Sequence, residues 1–236
     1  MAGKPLQREE RIKSEMYTKF KKWIDYILPK FCIRPLIFTV VLNFSVYWGS
    51  RLIRDAFGIP LHQIGTSLDQ RIPVWYPMVL IYFGCFAFWI VNYIYNARMS
   101  KEHCFRFLAA DWIGKIVCFI FYIVYPTTNI RPEIVGDGIF SWLMRFLYWV
   151  DTPDNLFPSI HCLVSWICYI GLRGNKKVPL CYRIFSCIFA ILVFWSTLAT
   201  RQHVIYDVIA GVVLAEIGYF ISGVIVRRHT PKEGEA

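Results

Sequence analysis

Charge is scarce in this chain. Asp, Glu, Lys and Arg together make up 18% of its 236 residues, against about a quarter in ordinary soluble domains. With 56% apolar residues and a mean hydropathy of +0.43, the missing polarity argues against a soluble domain and points to a bilayer. Metal-ligand spacing is lacking too: no cysteine pair lies near a matching histidine pair. Cys85, Cys118, Cys162, Cys168 and Cys187 fall inside apolar runs, where thiols pack as small hydrophobes, so a disulfide framework is not expected. No repeat and no low-complexity linker interrupts the chain. A cleavable leader is not expected either. The first long apolar run begins near Phe31, behind a charged stretch, and no small-residue cleavage site follows it.

What is abundant is long apolar sequence. Six segments approach the length needed to cross a bilayer, roughly 35–53, 74–96, 107–126, 158–173, 180–199 and 203–226. The expected fold is therefore all-α, a polytopic membrane bundle of about six transmembrane helices. The fourth segment is the shortest and starts at Pro158, a favourable first-turn residue. Residues 1–30 are polar and Lys-rich, with Phe20, Trp23, Ile24 and Ile27 spaced along one helical face. They read as a cytoplasmic amphipathic segment on the membrane surface, or as a basic arm. Residues 31–226 form the membrane domain and 227–236 a tail.

The net charge of +10 would suggest nucleic acid in a soluble protein. Here it is read by position, and no nucleic-acid partner is expected. With the N-terminus inside, Lys and Arg number nine in 1–34, three in 97–106, four in 173–183 and three in 227–236, 19 in all. The outer segments 51–71, 127–158 and 200–202 hold six. This bias places both termini in the cytoplasm. The outer loops carry no glycosylation sequon, which fits a plasma membrane of a bacterial kind. In this topology Arg131, the stretch NLFPSIH and the stretch STLATRQH share the extracytoplasmic face.

His203 and Asp207 are four residues apart at the start of the last helix, on one face. A carboxylate so placed fixes the imidazole tautomer and leaves the other nitrogen free as nucleophile or base. Ionisable pairs in apolar helices are costly and default to a functional reading; the plain alternative is a pair that bridges two helices. His161 follows Pro158-Ser159-Ile160, where first-turn N–H groups attract anions and the histidine is within reach as a general acid. The plain alternative is a cap at Ser159 and an interfacial His161. Arg131, in TTNIRP, suits bidentate phosphate binding, or pairs with Glu133.

RP at 131–132, PSIH at 158–161 and S-x6-H-x3-D at 196–207 occur in that order. The set resembles the type 2 phosphatidic acid phosphatase superfamily over roughly residues 105–226, whose motifs run K-x6-RP, PSGH and SR-x5-H-x3-D. The resemblance implies a six-helix membrane core with His203 as a nucleophile forming a phosphohistidine, Asp207 as its orienter and His161 as the leaving-group acid. It further implies Arg131 and Ser159 on phosphate oxygens, and no metal or cofactor. Two family cations are missing: their positions hold Val124 and Thr197, and Ile160 replaces a glycine. Arg201 is near enough in sequence to substitute for one. Lys115 lies too far down its helix and is expected to pair with Asp111 at i,i+4.

The leading functional expectation is an enzyme that cleaves a lipid phosphoester, a membrane lipid phosphatase. A phosphotransferase resembling inositol phosphorylceramide synthases comes second, because fewer cations suit a singly charged diester. A non-catalytic transporter or interaction subunit comes third. The expected partners are the bilayer and a lipid substrate. Glu216 is expected well below the site, His103 and His229 in solvated cytoplasmic loops, and residues 138–150 as a helix in the outer interface.

Overall fold

A computed structural model describes residues 15–19 and 27–229. Most of the amphipathic face expected within residues 1–30 lies outside them. The helices are α1 (Lys30–Phe57), α2 (Ser67–Arg71), α3 (Val79–Ala97), α4 (Lys101–Val124), α5 (Ile139–Val150), α6 (Ile160–Leu172), α7 (Leu180–Ala199) and α8 (Ile205–His229). Two short strands, β1 (His62–Gln63) and β2 (Thr127–Thr128), pair in parallel and tie the α1–α2 connection to the end of α4.

Five of these helices, α1, α3, α4, α7 and α8, are long and apolar enough to cross a membrane. Their outward side chains are apolar, as at Val41, Ile90, Ile120, Ile188 and Ile217. The fourth expected segment, 158–173, forms the shorter helix α6. It has 13 residues, or about 20 Å of helix, short of the roughly 30 Å hydrocarbon core. It is apolar all round because protein surrounds it: α3, α4, α7 and α8 all pack on it, and Leu163, Ile167, Cys168 and Ile170 are buried. A helix hydrophobic on every side marks burial, and protein serves as well as lipid.

Close helix approach fixes the centre. A Cβ on Gly211 of α8 would meet the Ser159 carbonyl oxygen at 2.7 Å, and one on Gly218 the Ala110 oxygen at 3.0 Å. Small residues let α8 lie against α6 and α4, as in membrane bundles generally. The expected Lys115–Asp111 pair is present at 2.9 Å, buried between the helices. All eight cysteines are free thiols. In α1 one π turn, Ser45–Gly49, interrupts the regular ladder; such turns recur at functional sites, and this one presents Tyr47 and Trp48 to the cavity described next.

Candidate active site

The third motif is delivered by a tightly tied loop. The Thr197 carbonyl accepts from the amides of both Gln202, 2.9 Å, and His203, 3.1 Å. Between them Arg201 adopts a left-handed conformation, φ 57°, which costs a non-glycine residue about 1–2 kcal/mol. The conformation is held from three sides. Asn129 Nδ2 donates to the Arg201 carbonyl at 2.8 Å, Tyr148 Oη donates to the Thr200 carbonyl at 3.1 Å, and the Arg201 guanidinium donates to the carbonyls of Asp69 and of Ile72, the latter at 2.7 Å. The reversal sends Arg201 toward α2 while Gln202 and His203 face inward. Arg201, expected beside the phosphate, is thus bonded to carbonyls and does not line the cavity described below.

Asp207 Oδ2 accepts from the Val204 amide, 2.9 Å, and lies 3.1 Å from His203 Nδ1. An ionised carboxylate only accepts, so Nδ1 carries the ring proton and Nε2 presents its lone pair. The His161 ring lies 5.7 Å from that of His203, centroid to centroid. Tyr82, Phe86 and Trp89 of α3 surround it, the nearest ring centroid at 4.5 Å. The turn before α6 is set by Tyr122, which donates to the Pro158 carbonyl at 2.7 Å, and by the Ser159 amide, which donates to the Asp207 carbonyl at 3.1 Å. Ser159 Oγ accepts from the Cys162 amide and is fully buried. In this structure it is a helix cap and not a cavity wall.

Arg131 does line the cavity. Its Nη1 donates to the Asp151 carbonyl at 2.5 Å, its Nη2 to Gln202 Oε1 at 2.6 Å, and its guanidinium lies 4.7 Å from the Tyr148 ring centre. It does not pair with Glu133. Asp151 is a residue the sequence reading noted only as a loop acid. Its carboxylate accepts from Tyr47 at 2.8 Å and from Tyr82, and Tyr82 is the ring packed on His161. Burial disfavours the ionised carboxylate, but the His161 charge, the Tyr82 and Tyr47 hydroxyls and the Arg131 charge outweigh it, holding Asp151 below the usual carboxylate range. Arg51 and Arg54 of α1 clamp this loop through Asp154, at 2.7 and 2.8 Å. The alternating acids and amide of DTPDN, just before PSIH, were the available signal for this wall.

These groups surround one cavity of about 310 Å³, lined by His161, His203, Arg131, Gln202 and Asp151 and by aromatic rings of α1 and α3. Phe44, Trp48, Phe86 and Val150 line it and are also exposed on the outside, so the cavity opens through an apolar rim. The two missing family cations leave no stand-in at their own positions. Val124 is exposed on the helix exterior, and Thr197 bonds back to the Phe194 carbonyl.

Other titratable groups are placed elsewhere. Glu216 accepts from Arg173, 2.7 Å, and Trp166, 2.9 Å, away from the Asp111–Lys115 pair. His103 is not in a loop but in the first turn of α4, 2.8 Å from Asn96 Oδ1. His62 stacks on Tyr125. Among the described residues no three His, Cys, Asp or Glu side chains gather as a metal site.

Comparison with known proteins agrees with this architecture. No curated protein and no solved structure matches the chain. A family model described as the PAP2 superfamily matches residues 72–221, from the start of the α3 region to the upper part of α8, and so takes in both histidines, Asp207 and Arg131. The chain belongs to the PAP2 superfamily, that of the type 2 phosphatidic acid phosphatases.

Proposed function

We propose that this membrane protein cleaves a lipid phosphoester through a covalent intermediate on His203. One observation carries the reading: a histidine whose tautomer is set by Asp207 faces a second histidine across a 5.7 Å ring separation in a cavity with an apolar mouth. A near-attack contact is roughly 3–3.5 Å, so one phosphorus atom is within reach of both rings. His203 Nε2 attacks phosphorus and the bond to the lipid oxygen breaks. Protonated His161 gives its proton to the departing alkoxide. Water then attacks phosphorus, the bond to His203 Nε2 breaks, the water's proton passes to His161, and phosphate leaves, or the phosphorylated head group where the substrate is a diester. Arg131 stabilises the charge on the transferring group. The positive-inside bias supports an extracytoplasmic site in the plasma membrane, with both termini cytoplasmic.

A second reading, transfer to an alcohol in place of water, is favoured by the single arginine in the cavity. It shares the first step and differs only in what resolves the intermediate.

The test uses purified full-length protein in micelles with a panel of phospholipids, each with and without an alcohol acceptor such as inositol or diacylglycerol. The expected result is release of diacylglycerol together with an acid-labile phosphoenzyme, both abolished in His203→Ala. Retained turnover in that variant removes the mechanism. Free phosphate, or a free phosphorylated head group from a diester, identifies hydrolysis, and a new phospholipid identifies transfer.

A further inference from the structure

His203 and His161 are prepared for their steps in different ways. His203 has a carboxylate in direct contact, Asp207 at 3.1 Å. His161 has none. Among the described residues no hydrogen bond reaches its ring nitrogens, and the ring is held by packing against Tyr82, Trp89 and Phe86, at 4.5, 5.6 and 6.1 Å between centroids. Removal from water disfavours an imidazolium, yet a leaving-group acid must hold its proton until the alkoxide departs. A nearby negative charge meets both demands, and the cavity wall contains one carboxylate, Asp151.

Asp151 is coupled to His161 by contact as well as by charge. Its carboxylate accepts from the Tyr82 hydroxyl and, at 2.8 Å, from that of Tyr47. Tyr82 is the ring packed nearest His161, so tying its phenol end fixes the wall on which His161 rests. Against the cost of burial, the His161 charge is the first of the influences that keep Asp151 ionised, and that attraction acts equally on His161. The other ionisable side chains lining the cavity are Tyr47 of α1, Tyr82 of α3, Tyr122 of α4, Arg131 and His203. None of them supplies negative charge at neutral pH. Asp207 stands behind His203, engaged by Nδ1 and by the Val204 amide.

From this arrangement we infer that Asp151 is the positioning residue of the acid: its charge keeps the proton on His161, and its bond to Tyr82 holds the ring in place. Each histidine then has its own carboxylate, Asp207 in direct contact with one and Asp151 acting through a tyrosine on the other. The Asp151 carbonyl, which accepts from Arg131 Nη1, is backbone and survives any change of the side chain. This rests on the reading of His203 and His161 given above.

The experiment measures kcat/KM, which reports the step that forms the phosphoenzyme, for wild type and Asp151→Asn in micelles of the full-length protein. Asparagine is nearly isosteric, and its amide oxygen and nitrogen can each meet one tyrosine hydroxyl. The lipids are phosphatidic acid and phosphatidylcholine, followed by diacylglycerol. Each is paired with two soluble esters of the same phosphoryl group: p-nitrobenzyl, whose alkoxide needs the proton, and p-nitrophenyl, whose phenolate leaves without it. Asp151→Asn should lower kcat/KM about tenfold to a hundredfold for the lipid and the benzyl ester, part of the roughly 10²–10⁴-fold that a general acid supplies, and less than about threefold for the phenyl ester. With the negative charge gone His161 loses its proton more readily, so the alkaline limb of the lipid profile moves to lower pH, by about one unit. Where the wild type turns over only the lipid, this limb alone decides. If the asparagine variant is not monodisperse, Tyr82→Phe, which keeps the ring and takes the hydroxyl from the carboxylate, serves in its place and shows the same one-sided loss. Equal losses on the benzyl and phenyl esters, or an alkaline limb that stays in place, overturn the inference and leave the phosphohistidine reading standing while His203→Ala is inactive. Turnover in His203→Ala, or turnover of no phospholipid by the wild type, removes both.

Discussion

Substitution of Asp207 separates two contributions that the native side chain makes together, orientation and charge. Two donors converge on Oδ2, the Val204 amide at 2.9 Å and His203 Nδ1 at 3.1 Å, whereas Oδ1 is buried without a partner. An asparagine therefore places its carbonyl oxygen at the Oδ2 position and its amide nitrogen at Oδ1. Nδ1 keeps an acceptor, the tautomer survives, and only the charge is lost. A hydrogen bond to a charged group contributes about 1.5–3 kcal/mol, and a neutral one about 0.5–1.5 kcal/mol. The difference of roughly 1–1.5 kcal/mol corresponds to about a tenfold fall in kcat for Asp207→Asn. Asp207→Ala removes the acceptor altogether. The Val204 amide is left unsatisfied, at about 1–3 kcal/mol of stability, and the ring is free to turn, for about a hundredfold further loss of rate. Diacylglycerol release in micelles gives the rates, and thermal unfolding of the same samples gives the stability. If Asp207→Asn is as inactive as Asp207→Ala, the assignment of the proton to Nδ1 is wrong. If Asp207→Ala keeps the native rate, the carboxylate does not support catalysis at all.

Arg201→Ala loses the guanidinium bonds to the Asp69 and Ile72 carbonyls; the expected result is a lower Tm, from about 1–3 kcal/mol, with KM for the lipid unchanged. A raised KM at native Tm would put Arg201 back on the phosphate. Burial opposes ionisation of Asp69, but bonds from the Thr66 hydroxyl, the Ile205 and Thr66 amides and the nearby Arg201 charge outweigh it, so its pKa lies below the usual carboxylate value. Its contribution is therefore fully present above the ordinary carboxylate pKa and is lost as pH falls through that value toward the folded one. Thermal unfolding from pH 7 downward should show a steeper acid loss for wild type than for Asp69→Asn, and parallel curves would refute it. Lys115→Met leaves Asp111 buried and unpaired, which should destabilise by about 3–5 kcal/mol, with stability restored in the double variant Asp111→Leu/Lys115→Met. A single variant as stable as wild type would show that the pair contributes nothing.

How much was legible follows from the range of the interactions. Five long helices could be read because a bilayer imposes length and apolarity on each segment separately. The pairing of His203 with Asp207, and of Lys115 with Asp111, could be read because an i,i+4 contact is local geometry. The fate of α6 could not, since an apolar run has the same composition whether lipid or protein surrounds it. Arg131, His161 and His203, 30 to 72 residues apart, line one cavity as the motif order implied, but the walls between them depend on longer reach. Tyr47 meets Asp151 across 104 positions, and no local pattern records that.

Arg201 and Gln202 show most clearly where such reading stops. Two cations were missing, so a search by charge and proximity selects the nearest arginine. Which of two adjacent side chains enters the cavity is decided instead by one backbone torsion, the φ of 57° at Arg201. That torsion is held by Asn129 and by the carbonyls of residues 69–72, segments remote in sequence. The chain therefore uses its spare cation to hold the loop, and the group delivered beside His203 is a neutral amide. Composition near a motif identifies which residues are available, while the backbone path through the motif determines which of them a substrate meets.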